Sequence, residues 1–139
     1  MVIVDTSAWI EFFRRDGDLK VKLAVKALLD EYEAGLCGPV EMEFLGGAFP
    51  HERPRIQARF EVISYLANDQ KIWRQAATNY SKLRSEGLTA PWNDILIATI
   101  TLESGHRIYA VDRHFEMMAD HLPLRLYEPG YNGGFAPDQ

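Results

Sequence analysis

Apolar residues recur every three or four positions in several stretches of the chain, which is the spacing of one face of an α-helix. The clearest stretch lies between Asn68 or Asp69, either of which can cap a helix, and Gly87. A second begins in the turn of Pro91 and ends at Gly105. The other predicted helices are one that Thr6 and Ser7 can cap, one over 18–34 that Gly35 ends, one over 40–48, and short ones around Phe60 and Phe115.

Short runs of β-branched and other apolar residues lie between these helices. The first, Val2–Val4, is typical of a buried strand in a parallel sheet. The remaining predicted strands are 36–39, 62–66, 107–111 and 124–127. Because alternating strands and helices form a sheet that the helices cover, we predict an α/β fold, a three-layer domain with a mostly parallel central sheet flanked by helices. This single domain would comprise residues 1–128, and residues 129–139 would be a loose tail or a docked arm.

The composition is that of an ordinary soluble domain. The chain has 139 residues, of which 47% are hydrophobic and 25% charged, and this length suffices for one core. It contains no apolar run of the roughly 18 residues that can span a membrane, so no membrane association is expected. The start of the chain lacks a signal-like segment, which favours the cytoplasm. The single cysteine, Cys37, excludes an internal disulfide.

The net charge of −5 argues mildly against a protein that holds nucleic acid by bulk electrostatics. Cations bound at an acidic site would cancel much of that charge. Arginines could also form a local basic rim, for which the candidates are Arg14, Arg15, Arg53, Arg55, Arg59 and Arg113. The charge balance therefore leaves a nucleic-acid substrate open.

Acidic side chains are predicted to meet at one edge of the sheet. Asp5 and Asp112 each follow a predicted strand, and ligands of open α/β sheets bind outside the carboxyl ends of the strands. Asp94 lies in the first turn of the helix that leads to the strand before Asp112. Glu41 and Glu43 follow the second predicted strand and diverge on their helix, so only one of them can join the group.

Four carboxylates without a cation would repel one another and raise their pKa values. All-oxygen ligands favour Mg²⁺ or Mn²⁺, and the four histidines show no zinc-like pairing. Such a site suits phosphodiester hydrolysis, in which a metal activates water and stabilises the leaving oxygen. Each acid taken alone also has a structural explanation, as a surface, turn or helix-end residue.

Four motifs follow one another along the chain: VIVDTSAWIEFF, EFLGGA, NDILIATITLESG and YAVDRHFEMMA. They resemble the successive motifs of the PIN domain in its VapC-type bacterial toxin form, over nearly the whole chain. The resemblance implies a PIN-like fold and an endoribonuclease that depends on Mg²⁺ or Mn²⁺. The family's acids match Asp5, Glu43, Asp94 and Asp112. The match selects Glu43 rather than Glu41, because the family's glutamate precedes an apolar pair and a glycine.

The same resemblance implies supporting contacts and partners. Thr6 or Ser7 fits the hydroxyl that follows the family's first aspartate and helps to hold the metal site. The implied partners are an RNA substrate, a cognate antitoxin that blocks the acidic pocket, commonly with a basic side chain, and a second copy of the chain in a homodimer. Some apolar helical residues are candidates for an antitoxin groove, although core packing explains most of them; examples are Trp9, Phe12, Phe13 and Trp73.

Two positions depart from the family's pattern. Ala110 stands where the family often has threonine, and His114 stands where it often has aspartate or asparagine. The first departure affects one hydroxyl contact. The second leaves open whether Asp112 binds a metal directly, binds it through water, or only orients other ligands.

Two other functions fit part of the sequence. A phosphatase of the haloacid dehalogenase-like type would use Asp5 as its nucleophile, but that chemistry usually has a second aspartate where this chain has Ser7. Trapping an aspartyl-phosphate analogue on Asp5 would favour it. A non-catalytic binding module with the same fold would need none of the acids, although all four acid positions are filled. A failure to bind Mn²⁺ would favour the binding module.

Overall fold

The central sheet of the computed structural model, which describes residues 1–139, consists of four strands that pair in parallel. They are β1 (Val2–Val4), β2 (Ala34–Cys37), β3 (Ser64–Leu66) and β4 (Arg107–Tyr109). Their order across the sheet is β3-β2-β1-β4, so β1 lies inside, and its side chains are fully buried. An interior strand of a parallel sheet is covered on both faces, which explains why β1 is apolar at every position.

Seven α-helices flank the sheet and confirm the predicted α/β fold class. They are α1 (Thr6–Phe13), α2 (Leu19–Asp30), α3 (Gly38–Gly47), α4 (Arg53–Glu61), α5 (Gln70–Ser85), α6 (Trp92–Ser104) and α7 (Arg113–Ala119). The helix α6 is buried without interruption from Asp94 to Thr101 and ends at Gly105, whose φ of 74° is left-handed, as predicted. None of the helices combines the length and the apolar character needed to span a membrane.

Aspartate side chains, rather than hydroxyls, cap the helices next to the candidate acids. The predicted capping of α1 by Thr6 and Ser7 is wrong, because both residues are helical and the carboxylate of Asp5 accepts the Ser7 N–H. Asp112 caps α7 in the same way, three residues after β4 ends at Tyr109, so the predicted strand to residue 111 was too long. Each of these aspartates therefore joins a strand to a helix.

The predicted helix over 18–34 is too long, and the glycine assigned to its end lies in a strand. The helix α2 ends at Asp30, and Tyr32 takes a left-handed φ of 57° just before β2. Gly35 pairs with Ile3 of β1. A Cβ atom at Gly35 would lie 2.9 Å from Cδ1 of Ile3, so close packing between the strands, rather than a helix end, explains this glycine.

The predicted last strand, 124–127, does not form. Leu126 makes one isolated parallel bridge with Ile108 of β4, and Leu124 and Tyr127 are buried in the core. The apolar residues that indicated a strand therefore pack as an irregular segment beside the sheet.

Residues 129–139 form a docked C-terminal arm, one of the two predicted alternatives. Nη2 of Arg107, the first residue of β4, donates to the backbone oxygen of Ala136 at 2.9 Å. Nη1 of Arg125 lies 2.6 Å from each carboxylate oxygen of Asp138. The predicted domain boundary at residue 128 stays a prediction.

An aromatic cluster holds α1 against α3 and α4. The ring centroids of Trp9 and Phe60 lie 5.2 Å apart, and those of Phe13 and Phe44 lie 5.3 Å apart. Trp9 is fully buried there, so core packing explains it. Phe44 follows Glu43 in α3, and its packing therefore helps to fix the position of that acid relative to β1.

Candidate active site

Asp5 is fixed at the carboxyl end of β1. Its backbone N–H donates to the oxygen of Tyr109 in β4 at 2.9 Å, and the Ser7 hydroxyl donates to its Oδ2 at 2.7 Å. Its other carboxylate oxygen, Oδ1, is buried and has no hydrogen-bond partner. One oxygen is thus held by the protein, while the other is available to a ligand.

The two hydroxyls predicted to support Asp5 differ in their contacts. Ser7 links α1 to the segment before α7, because its oxygen also accepts the N–H of Val111 at 2.9 Å. The Thr6 hydroxyl is buried without a hydrogen-bond partner. Ser7 is therefore the hydroxyl that orients Asp5.

Asp94 and Asp112 meet at the side chain of His114. Nδ1 of His114 lies 3.0 Å from Oδ2 of Asp94 and 2.9 Å from Oδ1 of Asp112. The backbone N–H of His114 also donates to Oδ1 of Asp112, at 2.8 Å. Asp94 is 6% exposed, whereas Asp112 and His114 are half-buried. The first turn of α6 and the start of α7 therefore contribute their side chains to one polar cluster.

Glu43, rather than Glu41, faces the other acids, as the family resemblance implied. Nδ2 of Asn93, the residue before Asp94, donates to Oε2 of Glu43 at 2.7 Å. The charge of Glu43 also raises the pKa values of Asp5 and Asp94. Glu41 instead lines a separate cleft between α3 and α4.

The acids perturb one another strongly. Burial, followed by the negative charges of Asp5 and Asp112, raises the pKa of Asp94 from 3.8 to about 6, although His114 opposes this rise. Burial also raises the pKa of Asp5, against the hydrogen bonds from Ser7. The protein's own cations do not neutralise this edge of the sheet, and a bound cation would relieve the repulsion.

The donor set fits a divalent cation. One ligand atom from each of Asp94, Asp112 and His114 lies within 4.8 Å of the others. The unpartnered oxygen of Asp5 adds a further hard donor, and carboxylate oxygens are the ligands that Mg²⁺ and Mn²⁺ prefer.

Two residues of this site were missed as participants by sequence reasoning. The sequence marks His114 only as a departure from a family pattern, because no second histidine lies at a zinc-like spacing from it. Its position two residues after Asp112 was the available signal. Asn93 lies inside the motif that contains Asp94, but its contact with Glu43 joins residues 50 positions apart and has no local signature.

A groove of about 690 Å³ adjoins the acids, and Glu43 is among the residues that line it. Three of the arginines predicted for a basic rim line it: Arg14, Arg15 and Arg55. The other three, Arg53, Arg59 and Arg113, do not line it. Nε of Arg53 donates to the oxygen of Leu45, and Arg59 lies over the ring of Phe12. The predicted rim is therefore present in part, beside an otherwise acidic site.

Residues 2–120 match the family model of the PIN domain, which covers most of the chain. The chain belongs to the PIN domain family. The resemblance found in the sequence motifs is thereby confirmed. Nucleases of the PIN domain family use divalent metals, which agrees with the donor set described above.

Similarity to individual PIN domain proteins extends over most of the chain. The chain is 35% identical over 124 residues to VapC ribonuclease Mb1587 of Mycobacterium bovis. The aligned residues cover 86% of this chain and 92% of the relative. Among solved structures, FitAcB from Neisseria gonorrhoeae superposes with a TM-score of 0.71 at 17% identity, over 92% of this chain and 97% of that one. A toxin-antitoxin complex from Klebsiella pneumoniae gives a TM-score of 0.68 at 16% identity, over 81% and 88%. At these identities the solved structures support the fold alone.

Proposed function

We propose that this PIN domain protein is an endoribonuclease that depends on Mg²⁺ or Mn²⁺ and acts as the toxin of a toxin-antitoxin pair. Family membership and the 35% identity to a VapC ribonuclease support the reaction class. The observation that carries the proposal is the electrostatic convergence on Asp94 of three further acids: Asp5, Glu43 and Asp112.

The residues that would hold the cation are Asp5, Glu43, Asp94 and Asp112. A bound divalent cation supplies an activated water for attack on phosphorus and offsets the charge on the leaving oxygen. The chain's own contribution is to orient the ligands before the substrate arrives. Ser7 holds one oxygen of Asp5, and Asn93 holds one oxygen of Glu43, so that neither carboxylate has to be ordered during the reaction.

The groove beside Glu43 is the path that we propose for the RNA. Arginine forks pair well with phosphate oxygens, and Arg15 and Arg55 line this groove in a protein whose net charge is −5. Arg14 lines it as well, but its guanidinium pairs with Glu11. An RNA strand held there would lie next to the acids. Single-stranded or looped RNA suits such a site, because its backbone is not tied into a duplex.

We propose in addition an antitoxin partner and a homodimer. A relative of the same fold was solved as a toxin-antitoxin complex, which supports the antitoxin. A basic side chain of the antitoxin would pair with the unneutralised carboxylates and exclude substrate. Phe13 lines the groove and offers apolar contact beside them, whereas Trp73 lies exposed on α5. The predicted cytoplasmic location belongs to this proposal, since RNA and an antitoxin would both be met there.

The experiment incubates the purified protein with total and structured RNA in Mg²⁺, Mn²⁺ or EDTA and maps the new 5′ ends. We expect discrete cuts that need metal and that disappear in Asp94→Asn and Glu43→Gln. The matched control is Glu41→Gln, which removes a carboxylate from the same helix but outside the acid cluster. It should cut like the wild type.

Cuts that persist in Asp94→Asn would contradict the proposed site. If the wild type neither cuts RNA nor binds Mn²⁺, the protein is a non-catalytic binding module of the same fold. A stable aspartyl-phosphate analogue on Asp5 would instead support the phosphatase alternative, in which case Ser7 would have to release the carboxylate it now contacts.

A further inference from the structure

His114 brings a nitrogen atom among the acids, and this nitrogen has no hydrogen-bond partner. Nδ1 is buried and lies within 3.0 Å of one oxygen of Asp94 and one of Asp112. Neither oxygen completes a hydrogen bond with it, so both lie to the side of the direction in which the ring nitrogen points. The imidazole thus has close acidic neighbours, although its Nδ1 remains available to bind something else.

The same distances are those of neighbouring ligands on one cation. An octahedral cation with ligands at about 2.1 Å holds adjacent ligand atoms about 3.0 Å apart, and each of them lies to the side of its neighbour's bonding direction. The contacts of Nδ1 with the two carboxylates, at 3.0 and 2.9 Å, match this spacing. A second unpartnered atom, Oδ1 of Asp5, belongs to a side chain that is 3% exposed and whose charge acts on Asp94.

We propose that Nδ1 of His114 is a metal ligand and that it makes this site prefer Mn²⁺ to Mg²⁺. Mg²⁺ is a hard cation that selects oxygen donors, whereas an imidazole nitrogen suits transition metals. An aspartate or asparagine at this position would keep the donor set all-oxygen, and His114 changes it to a mixed one. The proposal rests on the proposed function, since it concerns the metal of that same site.

The direct test is pulsed electron paramagnetic resonance of Mn²⁺ bound to the purified protein. A histidine nitrogen bonded to Mn²⁺ gives a strong ¹⁴N modulation, which should be present in the wild type and absent in His114→Ala. The matched control is His121→Ala, since His121 lies near Glu86 instead of the acid cluster. That variant should keep the modulation. Circular dichroism and thermal melts establish that each variant is folded.

The second measurement compares affinities for MnCl₂ and MgCl₂, with Mg²⁺ measured by displacement of Mn²⁺. His114→Ala should lower the Mn²⁺ affinity at least tenfold, which is the order expected when a metal site loses a supporting residue or ligand. His114→Asp should restore an all-oxygen set and reduce the preference for Mn²⁺ over Mg²⁺ at least tenfold. If His114→Ala keeps both the modulation and an affinity within twofold of the wild type, the proposal is wrong.

Asp94→Asn separates this proposal from the function on which it rests. If Asp94→Asn abolishes Mn²⁺ binding while His114→Ala keeps the ¹⁴N modulation and an affinity within twofold of the wild type, the acidic metal site stands and only the role of His114 fails. If the wild type binds Mn²⁺ with the ¹⁴N modulation but cuts no RNA under any metal condition, His114 is a ligand and the endoribonuclease proposal fails. If the wild type binds no Mn²⁺, the role of His114 is refuted directly.

Discussion

The aspartates near the two ends of β4 have pKa values that are shifted in opposite directions. Beyond the carboxyl end, burial and three like charges raise the pKa of Asp94 to about 6, and only the half-buried His114 opposes them. At the amino end, hydrogen bonds and the positive charge of Arg125 lower the pKa of Asp138. One carboxylate lies among unneutralised neighbours inside the protein, and the other lies exposed and paired with an arginine.

This difference separates the candidate binding site from a structural contact. Asp138 has a partner within the chain, and its contact fastens the C-terminal arm. Asp94 has no lysine or arginine partner, and His114 offsets only part of the repulsion, so the folded protein carries a local electrostatic cost that a ligand can remove. A carboxylate with a raised pKa beside specific charged partners marks a functional site more often than a structural one.

The largest expected effect is on cleavage. Asp94→Asn should reduce metal-dependent RNA cleavage at least about 100-fold, because it removes a charged ligand from the centre of the acid cluster. Asp138→Asn makes the same chemical change at the other end of β4 and should leave cleavage unchanged. The rate of 5′-end formation at the same Mn²⁺ concentration is measured for both variants. Equal losses of cleavage in the two would contradict the distinction between Asp94 as a ligand and Asp138 as a structural contact.

The stability of the metal-free protein should show the cost of Asp94 directly. Its pKa is about 6 when folded against an ordinary 3.8, so the folded state holds an extra proton between these values. Its contribution to stability is therefore full below about pH 4 and is lost as the pH rises through 6. In EDTA at pH 7, Asp94→Asn should be more stable than the wild type by on the order of 1–2 kcal/mol, since solvent screens part of the roughly 3 kcal/mol that two pKa units represent.

Urea unfolding from pH 4 to pH 7 measures that difference, which should shrink towards zero at the acidic end. Excess Mn²⁺ should reverse the order of the two proteins, because a ligand at 100 times its Kd adds about 2.7 kcal/mol to the form that binds it. An Asp94→Asn protein that is less stable than the wild type at pH 7 in EDTA would show that Asp94 has a structural role.

At the opposite end of β4, removing a cation should destabilise the protein without affecting its chemistry. Arg107 donates to Ala136, and its guanidinium lies 4.9 Å from the ring centroid of Tyr127. Arg107→Met keeps most of the buried stem, so it should cost about 1–2 kcal/mol of unfolding free energy and expose the arm to proteolysis. The exposed Arg74→Met on α5 is the matched control, with an expected change below about 0.5 kcal/mol. Unchanged protection of the arm in Arg107→Met would contradict the docking described above.

The smallest expected effect concerns the positioning of Glu43. Asn93→Ala should lower kcat about fivefold with little change in KM, because Glu43 loses its hydrogen bond but remains in place. If Asn93 acts only through this contact, adding Asn93→Ala to Glu43→Gln should cause no further loss. Additive losses in the double variant would point to a separate role for Asn93, such as contact with substrate.

The acidic end of this contrast was visible in the sequence, because the elements that create it have local signatures. The apolar run before Asp5 and the helical period after Asp94 predicted the sheet edge on which the acids meet. The features missed depend on tertiary contacts. Gly35 resembles the glycine of a helix end, but the closeness of the Ile3 side chain explains it. The segment 124–127 has the composition of a strand, but it makes only one isolated bridge to β4.

The acids of the candidate site were predictable from the sequence, whereas the contacts of His114 and Asn93 with them were not. A carboxylate after a buried strand has an expected location, since strand ends define an edge of the sheet. The direction of the His114 side chain depends on how Asp112 caps α7, and the contact of Asn93 depends on the placement of α3 against α6. Such geometry follows from packing between distant segments, which no local pattern encodes.

The backbone of Asp5 is hydrogen-bonded to β4, which limits how far this residue can move. Its N–H bonds to the oxygen of Tyr109 directly after the fully buried residues of β1, so the backbone of Asp5 cannot shift without opening the β1–β4 pairing. Two hydrogen bonds from Ser7 hold the carboxylate on this backbone. The Asp5 amide should therefore exchange with deuterium about as slowly as the core, through global unfolding. Glu43, exposed on α3, is held only by the side-chain hydrogen bond from Asn93, so a rotamer change that breaks this one bond can move it. The candidate site thus combines one carboxylate anchored through the sheet with one held by a single hydrogen bond.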